Sequence, residues 1–190
     1  MADADLSGLT VLAIVSNYGV EQDELVVPLE HLREDGARVD VAAVSQEPIQ
    51  TLVGDKDPGR TIEPTTTLEQ VQDPSGYDLL LIPGGTINAD NLRQAPDAVR
   101  IAARFIGEGK PIAAICHGPW TLVETGSLTG KRLTSYPSLQ TDVRNAGGQW
   151  ADASVVVDDS ENWTLITSRN PKDLPDFLGA IDRVLAPTAD

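Results

Sequence analysis

Residues 110–120 read KPIAAICHGPW, placing the only cysteine of the chain directly after an apolar run and directly before one of its two histidines. Lys110 and Pro111 close a polar stretch, residues 112–115 are continuously apolar, and Gly118 and Pro119 punctuate the chain before a second apolar segment. That order predicts a strand, an abrupt turn and a helix. A nucleophile on such a turn projects from the carboxyl end of a sheet, and small neighbours relieve the crowded backbone. Here they are Ala114, two before, and Gly118, two after. Pro119 suits the first helical turn, whose early N–H groups have no intrahelical partner. The helix amino terminus then points at the sulfur and favours the thiolate. The competing reading is a packed core thiol, because free cysteines are among the most buried residue types.

Further apolar runs stand at residues 10–15, 39–44 and 78–82, with helix-period segments between several of them. This βα alternation predicts an α/β fold with a mostly parallel sheet covered on both faces. In EQDELVVPLEHLRED (21–35), Leu25, Leu29 and Leu32 share one helical face and Gly36 is the stop. Pro28 belongs in its first turn or marks a kink, and His31 falls on the polar, surface side. DAVRIAARFIGEG (97–109) reads as a helix with Val99, Ala102 or Ala103, and Ile106 facing inward. ASVVVDDSENWTLITS (153–168) is strand, acidic turn, strand, and PKDLPDFLGAIDRVL (171–185) is a closing helix. TLVGDKDPGRTIEP (51–64) has the turn residues of an inserted hairpin.

Ligands of such a sheet bind outside the carboxyl ends of its strands, where Cys116 and the loop IPGGTINADNLR (82–93) both fall. Gly84 and Gly85 either make a plain turn or bring backbone N–H groups close to a ligand, forming an oxyanion hole with the N–H of His117.

The length of 190 residues and 41% apolar content suit one domain, expected over residues 9–187 after a flexible lead-in at 1–8. No apolar run approaches a membrane span, and MADADLSG is too acidic and short for a secretory signal, so a cytoplasmic protein is expected. One cysteine excludes an internal disulfide or a thiolate zinc cage, and two histidines leave little for other metal sites. Neither a metal nor another cofactor is expected. A net charge of −15 argues against nucleic acid and anionic membranes as partners.

Four segments taken together, LLLIPGG (79–85), GKPIAAICHGPW (109–120), GKRLTSYPSLQTDVRNAGGQWAD (130–152) and ITSRNPKDLPDF (166–177), resemble the PfpI-type intracellular protease family, especially its bacterial general stress protein branch. The likeness runs over residues 10–185. It implies a flavodoxin-like three-layer sandwich of the class I glutamine amidotransferase-like superfamily, with a nucleophile elbow. The family's nucleophile maps onto Cys116, its adjacent base onto His117, and its acidic helper onto Asp90, which alternatively serves as a helix N-cap. In the wider superfamily a glutamate opening the first helix touches the sulfur. That position is Glu24, with Glu21 the less favoured candidate. A carboxyl beside a thiolate must keep its proton, since two adjacent buried anions are costly. Gly84, Gly85 and Gly118 are the expected binding glycines.

Three functions share this nucleophile. A cysteine hydrolase would attack peptide or other acyl carbonyls, with Gly85 and His117 N–H groups holding the oxyanion and His117 with Asp90 moving the proton. A cofactor-independent glyoxalase or deglycase would add Cys116 to a methylglyoxal-type aldehyde. A redox sensor or holdase would oxidise Cys116 without catalysis. The resemblance also implies a homodimer or larger assembly, with residues 86–93 near the subunit boundary.

Overall fold

The computed structural model describes residues 5–186. In chain order its elements are β1 (Thr10–Val15), β2 (Tyr18–Glu21), α1 (Gln22–Glu34), β3 (Arg38–Ala43), β4 (Ile49–Val53), β5 (Asp57–Ile62) and β6 (Thr66–Thr67). There follow β7 (Leu79–Ile82), α2 (Thr86–Gln94), α3 (Pro96–Gly107), β8 (Ile112–Ile115), α4 (Pro119–Glu124) and β9 (Arg132–Leu133). The chain closes with α5 (Gln140–Asn145), β10 (Gln149–Trp150), β11 (Val155–Asp158), β12 (Leu165–Ser168) and α6 (Leu174–Leu185).

Seven strands form the central sheet in the order β11-β12-β8-β7-β1-β3-β6. Every pairing is parallel except β11 with β12 at one edge. Each residue of β7, β8 and β12 is buried, which is why those strands read as continuous apolar runs rather than alternating ones. Successive side chains of β1 part to opposite faces. Val11, Ala13 and Val15 pack with Leu25, Leu29 and Leu32 of α1 and with Phe177 and Ile181 of α6. Leu12 and Ile14 pack with Ile101 and Phe105 of α3, Leu122 of α4 and Val143 of α5. Three layers result, as a sheet with two apolar faces requires. The expected hairpin is real, and β4–β5 pairs with β2 in a separate small sheet. Among the described residues no helix is long and apolar enough to cross a membrane.

Several local expectations are corrected. The segment read as a loop at 86–93 is the body of α2. On α3 the buried stripe is Ala98, Ile101, Ala102 and Phe105, one position off the expected Val99–Ile106 face. Phe105 explains the shift, since a stripe centred on the aromatic buries more apolar surface and leaves Val99 and Ile106 along its edge. Pro28 lies inside α1 rather than in its first turn, so the Glu24 carbonyl lacks its usual intrahelical donor. The lead-in is not loose at residues 5–8: Leu6 is fully buried and its N–H donates to the Asp35 carbonyl at 2.8 Å. Residues 1–4 and 187–190, and with them part of the expected lead-in and the last residue of the expected domain, lie outside the described residues. His31 is not a free surface group, because its Nε2 stands 2.8 Å from Asp182 Oδ1.

Candidate active site

β8 runs straight into Cys116, whose φ of 61° lies in the left-handed region. For a residue with a Cβ this conformation costs about 1–2 kcal/mol and persists only where surrounding bonds impose it. They do so here. The Cys116 N–H donates to the Ser168 carbonyl at 3.0 Å, and the Cys116 carbonyl accepts the Tyr136 N–H at 2.8 Å. A Cβ on Gly118 would stand 2.4 Å from the Ile82 carbonyl oxygen, so only glycine lets the turn pass β7. Pro119 opens α4. Cys116 is therefore both things the sequence left open, an elbow residue and a buried thiol, 5% exposed.

α1 aims Glu24 at the same point. Its carboxyl is fully buried. Oε2 accepts the Gly84 N–H at 2.8 Å, and Oε1 has no hydrogen-bond partner among the described residues. The carboxyl's remaining neighbour is the Cys116 thiol, within hydrogen-bonding reach. Contact this close is possible because residue 84 has no side chain: a Cβ there would lie 2.6 Å from Glu24 Oε2 and 2.7 Å from Cys116 Cβ. Burial pushes the Glu24 carboxyl up to about 8, against the hydrogen bonds from Cys116 and Gly84, so it keeps its proton at neutral pH. The thiol is pushed up too, first by burial and then by Glu24 whenever that carboxyl is charged, while the N–H groups of Gly85 and His117 pull it down. A thiol ionised below neutral pH thus requires Glu24 to stay protonated and to donate to sulfur.

The binding glycines divide. Gly85 directs its N–H at the sulfur together with His117. Gly84 gives its N–H to Glu24 and Gly118 gives its own to the Ile115 carbonyl at 2.8 Å. Neither is free to hold an oxyanion.

Sequence neighbours do not ordinarily face one another, yet His117 Nδ1 is 3.2 Å from Cys116 Sγ. The positive φ at Cys116 turns both side chains to one side. The ring stacks on Tyr136 at 4.6 Å and meets Trp120 edge-on at 5.4 Å. Its Nε2 lies 3.4 Å from Thr86 Oγ1 and 3.3 Å from Ser138 Oγ. Burial lowers the His117 pKa, and the charge of Asp55 works against that.

Asp90 is not brought to the site within one chain. It is exposed on α2, where its carboxylate accepts the Gln94 amide at 3.1 Å. Because α2 begins at Thr86, Asp90 sits a turn further along the helix and caps nothing. The acidic residue behind His117 is Asp55, at the tip of the β4–β5 hairpin. Its carboxylate accepts the Thr86 N–H at 2.9 Å and the Thr86 hydroxyl at 2.7 Å. Glu21, the other carboxyl weighed for sulfur, instead clamps that tip by accepting the N–H groups of Gly54 and Asp55, each at 3.1 Å. The Gly54–Asp55 turn was visible in the sequence, but nothing local says where its tip would land.

These groups close around a pocket of about 200 Å³ whose lining includes Glu21, Glu24, Asp55, Cys116, Tyr136 and Asn170, and no lysine or arginine. A larger recess of about 440 Å³ beside Tyr18, Asn91 and Gln94 does not contain Cys116.

Residues 10–183 match the DJ-1/PfpI family. A Pyrococcus horikoshii protein named deglycase PH1704 is 39% identical over 166 residues, 87% of this chain and 93% of its own. General stress protein 18 of Bacillus subtilis is 34% identical, covering 87% of this chain and 92% of its own. The crystal structure of Drosophila melanogaster DJ-1beta superposes with a TM-score of 0.81 at 30% identity, covering 94% of this chain and 90% of its own.

Proposed function

The chain belongs to the DJ-1/PfpI family, and on that footing we propose that it is a glyoxalase- or deglycase-type enzyme. Its substrates are methylglyoxal-like α-oxoaldehydes or their adducts with amines. The observation that carries this reading is the pocket itself, about 200 Å³ around Cys116 and a protonated Glu24. That space suits a three-carbon molecule. A peptidase must seat residues on both sides of a scissile bond, so peptide hydrolysis, the first label suggested by the sequence, is the less favoured reading. The deglycase name of the Pyrococcus horikoshii relative supports the same choice.

Cys116 Sγ adds to the aldehyde carbon, its proton passing to His117 Nδ1 as the C–S bond forms. Glu24 gives its proton to the carbonyl oxygen, producing a hemithioacetal and leaving a carboxylate at the same spot. That carboxylate takes the hydrogen from the former aldehyde carbon as a proton, the hydroxyl proton on that carbon passes to the neighbouring oxygen, and Glu24 returns its proton to the neighbouring carbon. The product is a lactoyl thioester. Water cleaves it to lactate and restores the thiol. With an amine adduct the sulfur displaces the amine at the same carbon, the C–N bond breaking as the C–S bond forms. A cytoplasmic setting would keep the single thiol reduced for this work.

The test compares wild type and Cys116→Ser on methylglyoxal and on casein in parallel. Lactate formation lost in the variant, with no casein cleavage by either protein, supports the reading. Cysteine-dependent casein cleavage without lactate formation overturns it.

A further inference from the structure

α1 and α6 pack side by side, and where the end of α1 meets α6 three potential metal ligands converge. His31 lies in the last turn of α1, Asp35 caps that helix, and Asp182 projects from α6. His31 Nε2 is 2.8 Å from Asp182 Oδ1 and 3.4 Å from Asp35 Oδ2. All three ligand atoms lie within 4.8 Å of one another.

Asp35 is the informative member. Its side chain is 7% exposed, and its Oδ2, the atom turned towards His31, has no hydrogen-bond partner among the described residues. A buried carboxylate oxygen without a donor is costly and calls for an explanation. His31 does not supply a donor to both carboxylates. An imidazole has a single N–H, and the nearer acceptor of Nε2 is Asp182. Two carboxylates converge on one imidazole here, in a chain whose net charge is already −15.

We propose that His31, Asp35 and Asp182 bind a divalent transition-metal ion of the zinc class, which braces α1 against α6. The ion's charge balances the two carboxylates, and the imidazole selects zinc, cobalt or nickel over magnesium or calcium. Ligand atoms at about 2.0–2.2 Å from zinc stand roughly 3.3 Å apart in a tetrahedral shell. The His31–Asp35 separation of 3.4 Å already fits, and the His31–Asp182 distance of 2.8 Å must open by about half an ångström. Composition suggested no metal because two histidines and one cysteine seemed too few. The site needs only one histidine.

The test uses metal-stripped protein carrying Cys116→Ser, so that the active-site thiol cannot be the ligand. Zinc should bind one ion per chain by calorimetry and, at about 100-fold excess over its Kd, raise the thermal midpoint by roughly 5 °C. Magnesium at the same concentration should not. His31→Gln and Asp182→Asn should each abolish the zinc response. Asp35→Asn guards against a variant that fails to fold, since removing an unpartnered charge should leave the metal-free midpoint equal or higher while the zinc response is still lost. Absence of a zinc shift, or an equal shift in these variants, overturns the proposal.

Discussion

Glu24 and Cys116 meet at the floor of the pocket with no side chain between them, since residue 84 is glycine and a Cβ there would touch both. Burial makes either charge costly; a charged Glu24 raises the cost of ionising the thiol further, while the thiol's hydrogen bond works the other way on the carboxyl. The pair carries a first negative charge far more readily than a second.

Stability should register this. The Glu24 carboxyl is raised from 4.5 to about 8 in the folded protein. A raised folded-state value contributes stability that is complete below pH 4.5 and is lost as pH climbs through about 8, because only the unfolded chain ionises in between. Wild type should therefore lose up to about 5 kcal/mol relative to Glu24→Gln across that window. Urea unfolding of both proteins at pH 4.5, 6 and 8 measures it, and parallel curves would refute it. Turnover of the variant should fall on the order of 10²-fold, since an amide cannot move the proton.

Asp55→Asn should shift the acid limb of the pH–rate profile. Burial lowers the His117 pKa and Asp55 opposes it. Removing the charge lets the value fall further, so the neutral imidazole persists to lower pH and the limb moves down. A profile of unchanged shape would show that Asp55 only holds Thr86 in place.

Lys131 is fully buried, with Nζ donating to the carbonyls of Ser160, of Trp163 at 2.5 Å and of Asp158 at 3.3 Å, and facing the Trp163 ring at 4.3 Å. Lys131→Met strands those acceptors and should cost on the order of 3 kcal/mol in chemical unfolding. Turnover per folded molecule should not change, because Lys131 does not line the pocket.

Self-association is expected with residues 86–93 near the boundary, despite the repulsion of a −15 chain. α2 exposes Ile87, at 41%, beside Tyr18, at 50%, and a second chain seated there would also reach Asp90. Sedimentation should give at least a dimer that tightens with added salt. A fully active 20.2 kDa monomer at micromolar concentration would end the idea.

What the sequence made legible was local. Strand, cysteine, glycine and proline follow one another within a few residues, so the elbow could be read from spacing alone. Glu24 was reachable only through family likeness, because no local pattern says which first-turn carboxylate a helix will bury. Asp55 was missed for a sharper reason: its partner Thr86 is 31 residues away in another element, and the contact depends on how a hairpin leans. Asp90 was misplaced because IPGGTINADNLR carries loop-like residues, yet tertiary contact makes it helical.

That hairpin has a wider consequence. β4 and β5 hang on β2, outside the seven-stranded sheet, yet their tip supplies Asp55 and Gly54 to the pocket lining. The elbow is locked to Ser168 and Tyr136 and tolerates little. The rim opposite it is held less tightly at its tip: residues 53–56 are exposed, whereas Ile49 at the base of the hairpin is fully buried in the core. Substitutions at the tip would recut the pocket mouth while the base keeps the hairpin on the scaffold and the nucleophile stays where it is.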